Sequence, residues 1–345
     1  MRLPYILLLT IATSYCFAQP TTPTDWGLKK ITISDRAIGK IGFYIDTINI
    51  KKKGPVLLYL NGSGGYPLCF YIQGDSSSKV LTTFETNVMK MARADFHYVV
   101  IDKPGLAFCD TISFSGNDMS ELLENYTPPD YYTENLSLEW RVQSARAVIR
   151  YLINQGYADK TKIIAWGYSE GGQVVPRLAA EDKRVTHVIS VVGSGLNQLY
   201  DPIISIRVKI AKGELSHEAG QKKIEELLKQ FKDIYQHKDA TNKHFEGHTY
   251  KRWASFGLAD NLNNLTKLTI PIYMLAGTAD TNSPILGLDY VPLEFLRLGK
   301  TNLTYDVCVG CNHYQQVVES TDKEKSGTEL GEIYVNKILK WINHH

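Results

Sequence analysis

Read only for apolar and polar positions, the chain divides into short unbroken apolar runs and longer stretches with a helical repeat. Pro55-Val56-Leu57-Leu58-Tyr59-Leu60, Tyr98-Val99-Val100-Ile101, Ile163 to Trp166, Val185 to Val192 and Ile270 to Leu275 are continuous runs, as expected of strands buried on both faces of a parallel sheet. Ile31 to Ser34 and Ile41 to Thr47 alternate instead, which predicts antiparallel edge strands joined by a Gly-containing turn. Asn302 to Val309 is read as the last strand. Between the runs, apolar positions recur at helical spacing in Val80 to Ala94 (Leu81, Phe84, Val88, Met91), in Ser137 to Gln155 (Leu138, Val142, Ala145, Ile149, Leu152) and in Leu330 to Ile342. Ser137 is a candidate cap for the second of these helices, and Gly156 its stop. Ala107 to Leu136, with Pro128-Pro129 and Tyr126, Tyr131 and Tyr132, reads as loop. Strands alternating with helices predict a mainly parallel sheet covered on both sides, an α/β fold.

The alternation breaks once. From about Asn197 to Leu265 no strong strand pattern occurs, and Ser216 heads a long helix with Ile224, Leu227, Leu228, Phe231 and Ile234 on one side and Lys and Glu on the other. An insertion of this kind reads as a helical cap over a site. The expected organisation is a signal peptide over 1–18, a first core part over 19–196, the cap over 197–265 and a second core part over 266–345.

Composition narrows the class. With 345 residues, 43% of them apolar, the chain has enough material for a sizeable core. A formal charge of only +2, with no basic run, argues against a nucleic-acid partner. The first residues combine one positive charge, an apolar run of about ten residues and small residues at Cys16 and Ala18, as in a secretory signal cut after Ala18. No later segment resembles a transmembrane helix, so an exported, periplasmic or secreted protein without stable membrane insertion is expected. Cys69, Cys109, Cys308 and Cys311 then remain, enough for two disulfides. Cys69 and Cys109 follow neighbouring predicted strands and are the favoured pair. Cys308 and Cys311 either close a tight ring or stay reduced.

The chemistry centres on Gly167-Tyr168-Ser169-Glu170-Gly171, where an apolar run meets a helix with Val174, Val175, Leu178 and Ala179 on one face. Such an elbow strains the serine backbone, and small residues on either side let strand and helix close over it. Pro176 introduces a mild kink. A serine hydroxyl needs a base and an acid that orients the base. Loops at the C-terminal edge of a parallel sheet supply both. Of nine histidines, only His313 follows a predicted central strand near the end of the chain; His97 and His187 begin strands. Asp280 is the first carboxylate after the preceding strand, with Asp260 and Asp201 as fallbacks. The Glu170 N–H supplies one oxyanion donor, and the Asn61-Gly62-Ser63-Gly64-Gly65 turn supplies the second from Ser63 or Gly64.

Together with Gly277-Thr278-Ala279-Asp280 and Asn312-His313, these stretches resemble the α/β-hydrolase fold family, most closely its exported esterases and acyl-peptidase-like members. The resemblance runs from Ile31 to the C-terminus. It implies Ser169 as nucleophile, Asp280 as acid, His313 as base and main-chain donors at Glu170 and near Ser63. Many members carry His-Gly where this chain has Asn61-Gly62. The expected activity is hydrolysis of a small ester or acyl compound through an acyl-enzyme, with no cofactor and no metal. A peptidase or amidase is the second reading, with Glu214, Glu218, Glu225 and Glu226 as cap acids. A non-catalytic binder on the same fold is the third.

Overall fold

Pairing along the apolar runs builds one eight-stranded sheet. The computed structural model describes residues 21–73, 78–114, 119–318 and 327–345, so the expected signal peptide lies outside the described residues. An antiparallel pair, β1 (Leu28–Asp35) and β2 (Gly39–Asp46), leads to β3 (Gly54–Leu60). The chain then leaves the sheet as β4 (Cys69–Gln73) and β5 (Ser78–Thr82), and returns through α1 (Thr86–Ala92) to β6 (His97–Ile101). A second excursion, β7 (Cys109–Ser113), α2 (Met119–Asn125) and α3 (Asp130–Asn135), precedes the long α4 (Leu138–Asn154). Next come β8 (Ala158–Tyr168), α5 (Glu170–Glu181) and β9 (His187–Val191). The inserted stretch holds α6 (Asp201–Ala211), α7 (His217–Gln236), a hairpin of β10 (His244–Phe245) and β11 (His248–Thr249), α8 (Tyr250–Gly257) and α9 (Asn261–Lys267). The sheet resumes with β12 (Ile272–Gly277), followed by α10 (Ile285–Leu288), α11 (Tyr290–Arg297), β13 (Leu303–Cys308) and α12 (Gly327–His344).

The main sheet runs β1-β2-β6-β3-β8-β9-β12-β13, with only the β1, β2 and β6 junctions antiparallel. In β3, Val56, Leu58 and Leu60 face one layer with Leu138, Val148 and Val174, whereas Leu57 and Tyr59 face the other with Val88, Val335 and Ile338. Strands apolar on both sides are therefore sandwiched between helices, and each fully buried aliphatic side chain contributes roughly 1.5–3 kcal/mol. This is the mainly parallel α/β arrangement expected from the alternation, and it fits the α/β-hydrolase fold that the resemblance implies. All strands from β3 onward in the parallel part deliver their C-terminal loops to one edge, where ligands bind in such sheets.

Two stretches differ from expectation. Val80 to Ala94 begins as a strand, because β5 pairs with β4 and β4 with β7 in a separate three-stranded sheet. Ala107 to Leu136 is not loop but β7, α2 and α3. Phe70, Ile72 and Leu81 bury against Leu122 and Leu123, so these short elements depend on one another rather than on local periodicity. The favoured Cys69–Cys109 pair is a further correction: the two sit side by side on β4 and β7 yet remain free. Cys308 and Cys311 do close the tight ring, one of the two outcomes expected of them, across the turn that ends β13, with Cα atoms 5.4 Å apart. Within the insertion, Ser216 caps α7 by accepting from the Ala219 N–H at 3.1 Å, and Phe231, Ile234, Tyr250 and Trp253 form a small core of its own.

Candidate active site

The elbow is tight for a steric reason. A Cβ on Gly171 would sit 1.9 Å from the Leu60 carbonyl oxygen and one on Gly167 would sit 2.1 Å from the Gly171 oxygen, so any larger residue separates β8, α5 and β3. Ser169 takes φ 53° and ψ −118°, a left-handed backbone region that costs on the order of 1–3 kcal/mol. Its amide donates to the Val191 carbonyl at 2.9 Å, and its carbonyl accepts from Gly172 at 2.8 Å. These bonds hold the strained residue in place.

From this point three side chains form one line. His313 Nε2 lies 2.9 Å from Ser169 Oγ, and His313 Nδ1 lies 2.7 Å from Asp280 Oδ2. The other Asp280 oxygen accepts from the Asn282 and Ser283 amides at 2.8 and 2.9 Å, which fixes the carboxylate. With Asp280 as acceptor, Nδ1 carries the proton and Nε2 is free to accept the serine proton. Tyr168 donates its hydroxyl to the His313 carbonyl at 2.6 Å, and Ala279 donates to the Cys311 carbonyl at 2.9 Å. The loops carrying base and acid are thus tied to each other and to the elbow.

The fallback acids are elsewhere. Asp260 caps α9, accepting from the Asn263 amide at 2.8 Å. Asp201 accepts from the Ser194 hydroxyl, and burial pushes its carboxyl up to about 8. Glu218, Glu225 and Glu226 are exposed on α7, a solvated helix face, and Glu214 is exposed in the turn before it. Of the tyrosine-rich stretch, Tyr126 donates to Asp110 and packs on Phe70, Tyr131 is exposed, and Tyr132 is buried beside Leu136.

Beneath the elbow lies a charged floor that periodicity did not reveal. Glu170, buried at the start of α5, is gripped by Arg141 of α4 (Nη1 to Oε1, 2.8 Å) and by Arg252 of α8 (Nη2 to Oε2, 2.7 Å). Burial pushes the Glu170 carboxyl up, but Arg252, Arg141 and Lys103 outweigh it and hold it at about 2. Arg141 also donates to the Asn61 carbonyl at 2.8 Å, and Lys103 Nζ donates to the Gly62 and Gly64 carbonyls at 2.6 and 2.5 Å. Burial pushes Lys103 down to about 7, Glu170 opposing and both arginines assisting; even the neutral amine keeps two N–H donors for the two carbonyls. The sequence carried one signal for this floor: Arg141 falls on the apolar stripe of α4, between Leu138 and Val142.

A cleft of about 620 Å³, counting the open space at its mouth, reaches Ser169 and His313. Its wall includes Gly62, Ser63, Tyr66, Phe84, Glu85 and Tyr314. Gly64, by contrast, turns the loop at φ 97° with its carbonyl on Lys103.

The sheet order and the elbow define an α/β-hydrolase fold, and the hydrogen-bonded line has the geometry of a Ser-His-Asp triad. Residues 136–289, a stretch holding Ser169 and Asp280 but not His313, match the model of the prolyl oligopeptidase family. No curated protein matches the chain by sequence. Among solved structures it is similar to a putative dipeptidyl aminopeptidase IV from Bacteroides ovatus (TM-score 0.55, 11% identity), covering 94% of this chain but 36% of that one. It is similar to an esterase from Pyrococcus furiosus (TM-score 0.53, 12% identity, 95% of each chain). It is also similar to the acylaminoacyl peptidase of Pyrococcus horikoshii (TM-score 0.53, 13% identity), with 92% of this chain and 41% of that one covered. The chain therefore spans little more than a third of the aminopeptidase and nearly all of the esterase.

Proposed function

We propose that the protein hydrolyses a small carboxylic ester through an acyl-enzyme on Ser169. The observation that carries this reading is the hydrogen-bonded line of Ser169, His313 and Asp280, whose serine and histidine line the cleft. As Ser169 Oγ attacks the acyl carbonyl carbon, its proton passes to His313 Nε2, and Asp280 stabilises the resulting imidazolium. The carbonyl oxygen becomes an oxyanion, for which the Glu170 N–H at the start of α5 is one donor. The second is the Ser63 N–H: Lys103 holds the Gly62 carbonyl, and a peptide N–H points away from its carbonyl. His313 then gives its proton to the leaving oxygen, whose bond to the acyl carbon breaks. A water molecule repeats the sequence, losing a proton to His313 and releasing the acid from Ser169.

Cleavage of an amide or peptide bond is the second reading, favoured by the match of residues 136–289 to the prolyl oligopeptidase family. A 4-nitrophenyl ester and the 4-nitroanilide of the same acyl group test both. The account expects a higher kcat/KM for the ester, and the reverse order supports the peptidase. Ser169→Ala is expected to lower either rate by at least about 10⁴-fold. A variant as active as the parent excludes the mechanism.

A further inference from the structure

One acid in the cleft is not used by the chemistry above. Glu85 immediately precedes α1 and lines the same cleft as Ser169 and His313. It also lines a smaller adjoining cavity walled by Trp166, Tyr168 and Tyr334. Among the described residues no cation and no side-chain donor pairs with it, and burial is the one influence on its carboxyl, which it pushes up to about 7. Glu85 is half-buried in the cleft wall, and a carboxylate partly withdrawn from water without a partner is costly, so such groups are ordinarily paired.

The surroundings say what kind of partner fits. Tyr59, Tyr98 and Tyr168 all lie near enough to feel the charge on Glu85. The Tyr59 and Tyr98 rings stack with centroids 6.0 Å apart. Tyr66, Phe84 and Tyr314 line the same cleft as the serine. Thr82, also in the wall, has a buried hydroxyl without a partner, as does Tyr98. Lys103, the cation in this wall, is occupied by the Gly62 and Gly64 carbonyls, and Glu85 is not among the charges acting on it. Aromatic side chains lining a cleft beside a single carboxylate suit an organic ammonium group and disfavour an anion. One carboxylate without further oxygen, nitrogen or sulfur ligands is a poor metal site.

Resting on the acyl-transfer reading, we propose that Glu85 binds a protonated amine of the substrate, so that the preferred substrates are amine-bearing acyl compounds such as aminoacyl esters and amides. The inserted helices contribute none of the acids this requires, since their glutamates face solvent. The amine enters the aromatic wall beside Tyr168 while the acyl carbonyl reaches Ser169.

The test compares alanine methyl ester with methyl isobutyrate, nearly equal in shape and differing in the ammonium group, at pH 7. The parent protein is expected to favour the alanine ester by at least about tenfold in kcat/KM, a difference of about 1.4 kcal/mol. Glu85→Gln is expected to reduce that ratio by at least about tenfold. A parent preference for the neutral ester, or an unchanged ratio in a Glu85→Gln protein whose Ser169 still reacts with a fluorophosphonate, overturns the proposal. Should that variant fail to fold, inhibition of the parent decides: propylammonium is expected to compete at least about tenfold more strongly than 1-propanol, and equal competition overturns the proposal. If neither ester is turned over yet propylammonium, and not 1-propanol, raises the melting temperature, the amine site stands and the acyl-transfer reading falls.

Discussion

Two glutamates flank the same serine and live under opposite rules. Glu170 is clamped between Arg141 and Arg252 and held at about 2 against the pull of burial. Glu85 has no cation beside it among the described residues and is pushed up to about 7 by burial. A carboxylate with both oxygens held by guanidinium groups acts as scaffold: it ties α4, α5 and α8 together beneath the elbow and, through Arg141, restrains the turn at Asn61. A carboxylate in an aromatic wall with nothing opposite it has the character of a binding group. What separates the two roles is the company each acid keeps, not its residue type.

The comparison breaks most visibly if Arg252 is removed. Arg252→Met leaves Glu170 buried without the largest of its compensating charges and is expected to cost ~3–5 kcal/mol in chemical denaturation, with activity lost alongside because Glu170 adjoins the nucleophile. Adding Glu170→Gln is expected to return part of that loss. A stability change within the noise of a surface substitution shows that the floor is not a scaffold.

The next effect is in pH. Glu170 ionises below its unfolded value of 4.5, so its contribution is complete above that pH and is lost as pH falls from about 4.5 toward 2. Glu85 has the reverse sign: its folded value is raised, so folding is favoured below 4.5 and the advantage disappears as pH rises through about 7. Glu85→Gln is therefore expected to raise the melting temperature by a few degrees at pH 8 and by less at pH 5. An equal shift at both pH values contradicts an unpaired carboxylate. The smallest effect is expected at Cys308 and Cys311, whose ring is short; Cys308→Ser is expected to cost about 2 kcal/mol in a denaturant titration.

These contrasts also explain what the sequence disclosed. Ser169, Asp280 and His313 were legible because each follows a strand of the parallel sheet at its C-terminal edge, and the glycines around Ser169 leave a steric signature. The main sheet was legible because strands apolar on both faces appear as unbroken runs. The side sheet was not: β4, β5 and β7 are five residues each, and what makes them strands is mutual pairing across the excursions from the main sheet. The charged floor was hidden by separation along the chain, Arg252 lying 82 positions from Glu170. Glu85 has no local signature at all, since its significance comes from tyrosines on β3, β6 and β8 that converge only after folding.

Everything rests on Ser169 being the group that reacts. The most direct measurement is peptide mapping by mass spectrometry after treatment with a fluorophosphonate, on the parent protein and on His313→Ala. The account predicts a single phosphonyl adduct on Ser169 in the parent and its loss or severe slowing in the variant. An adduct on another residue, or no adduct on a folded protein, contradicts it.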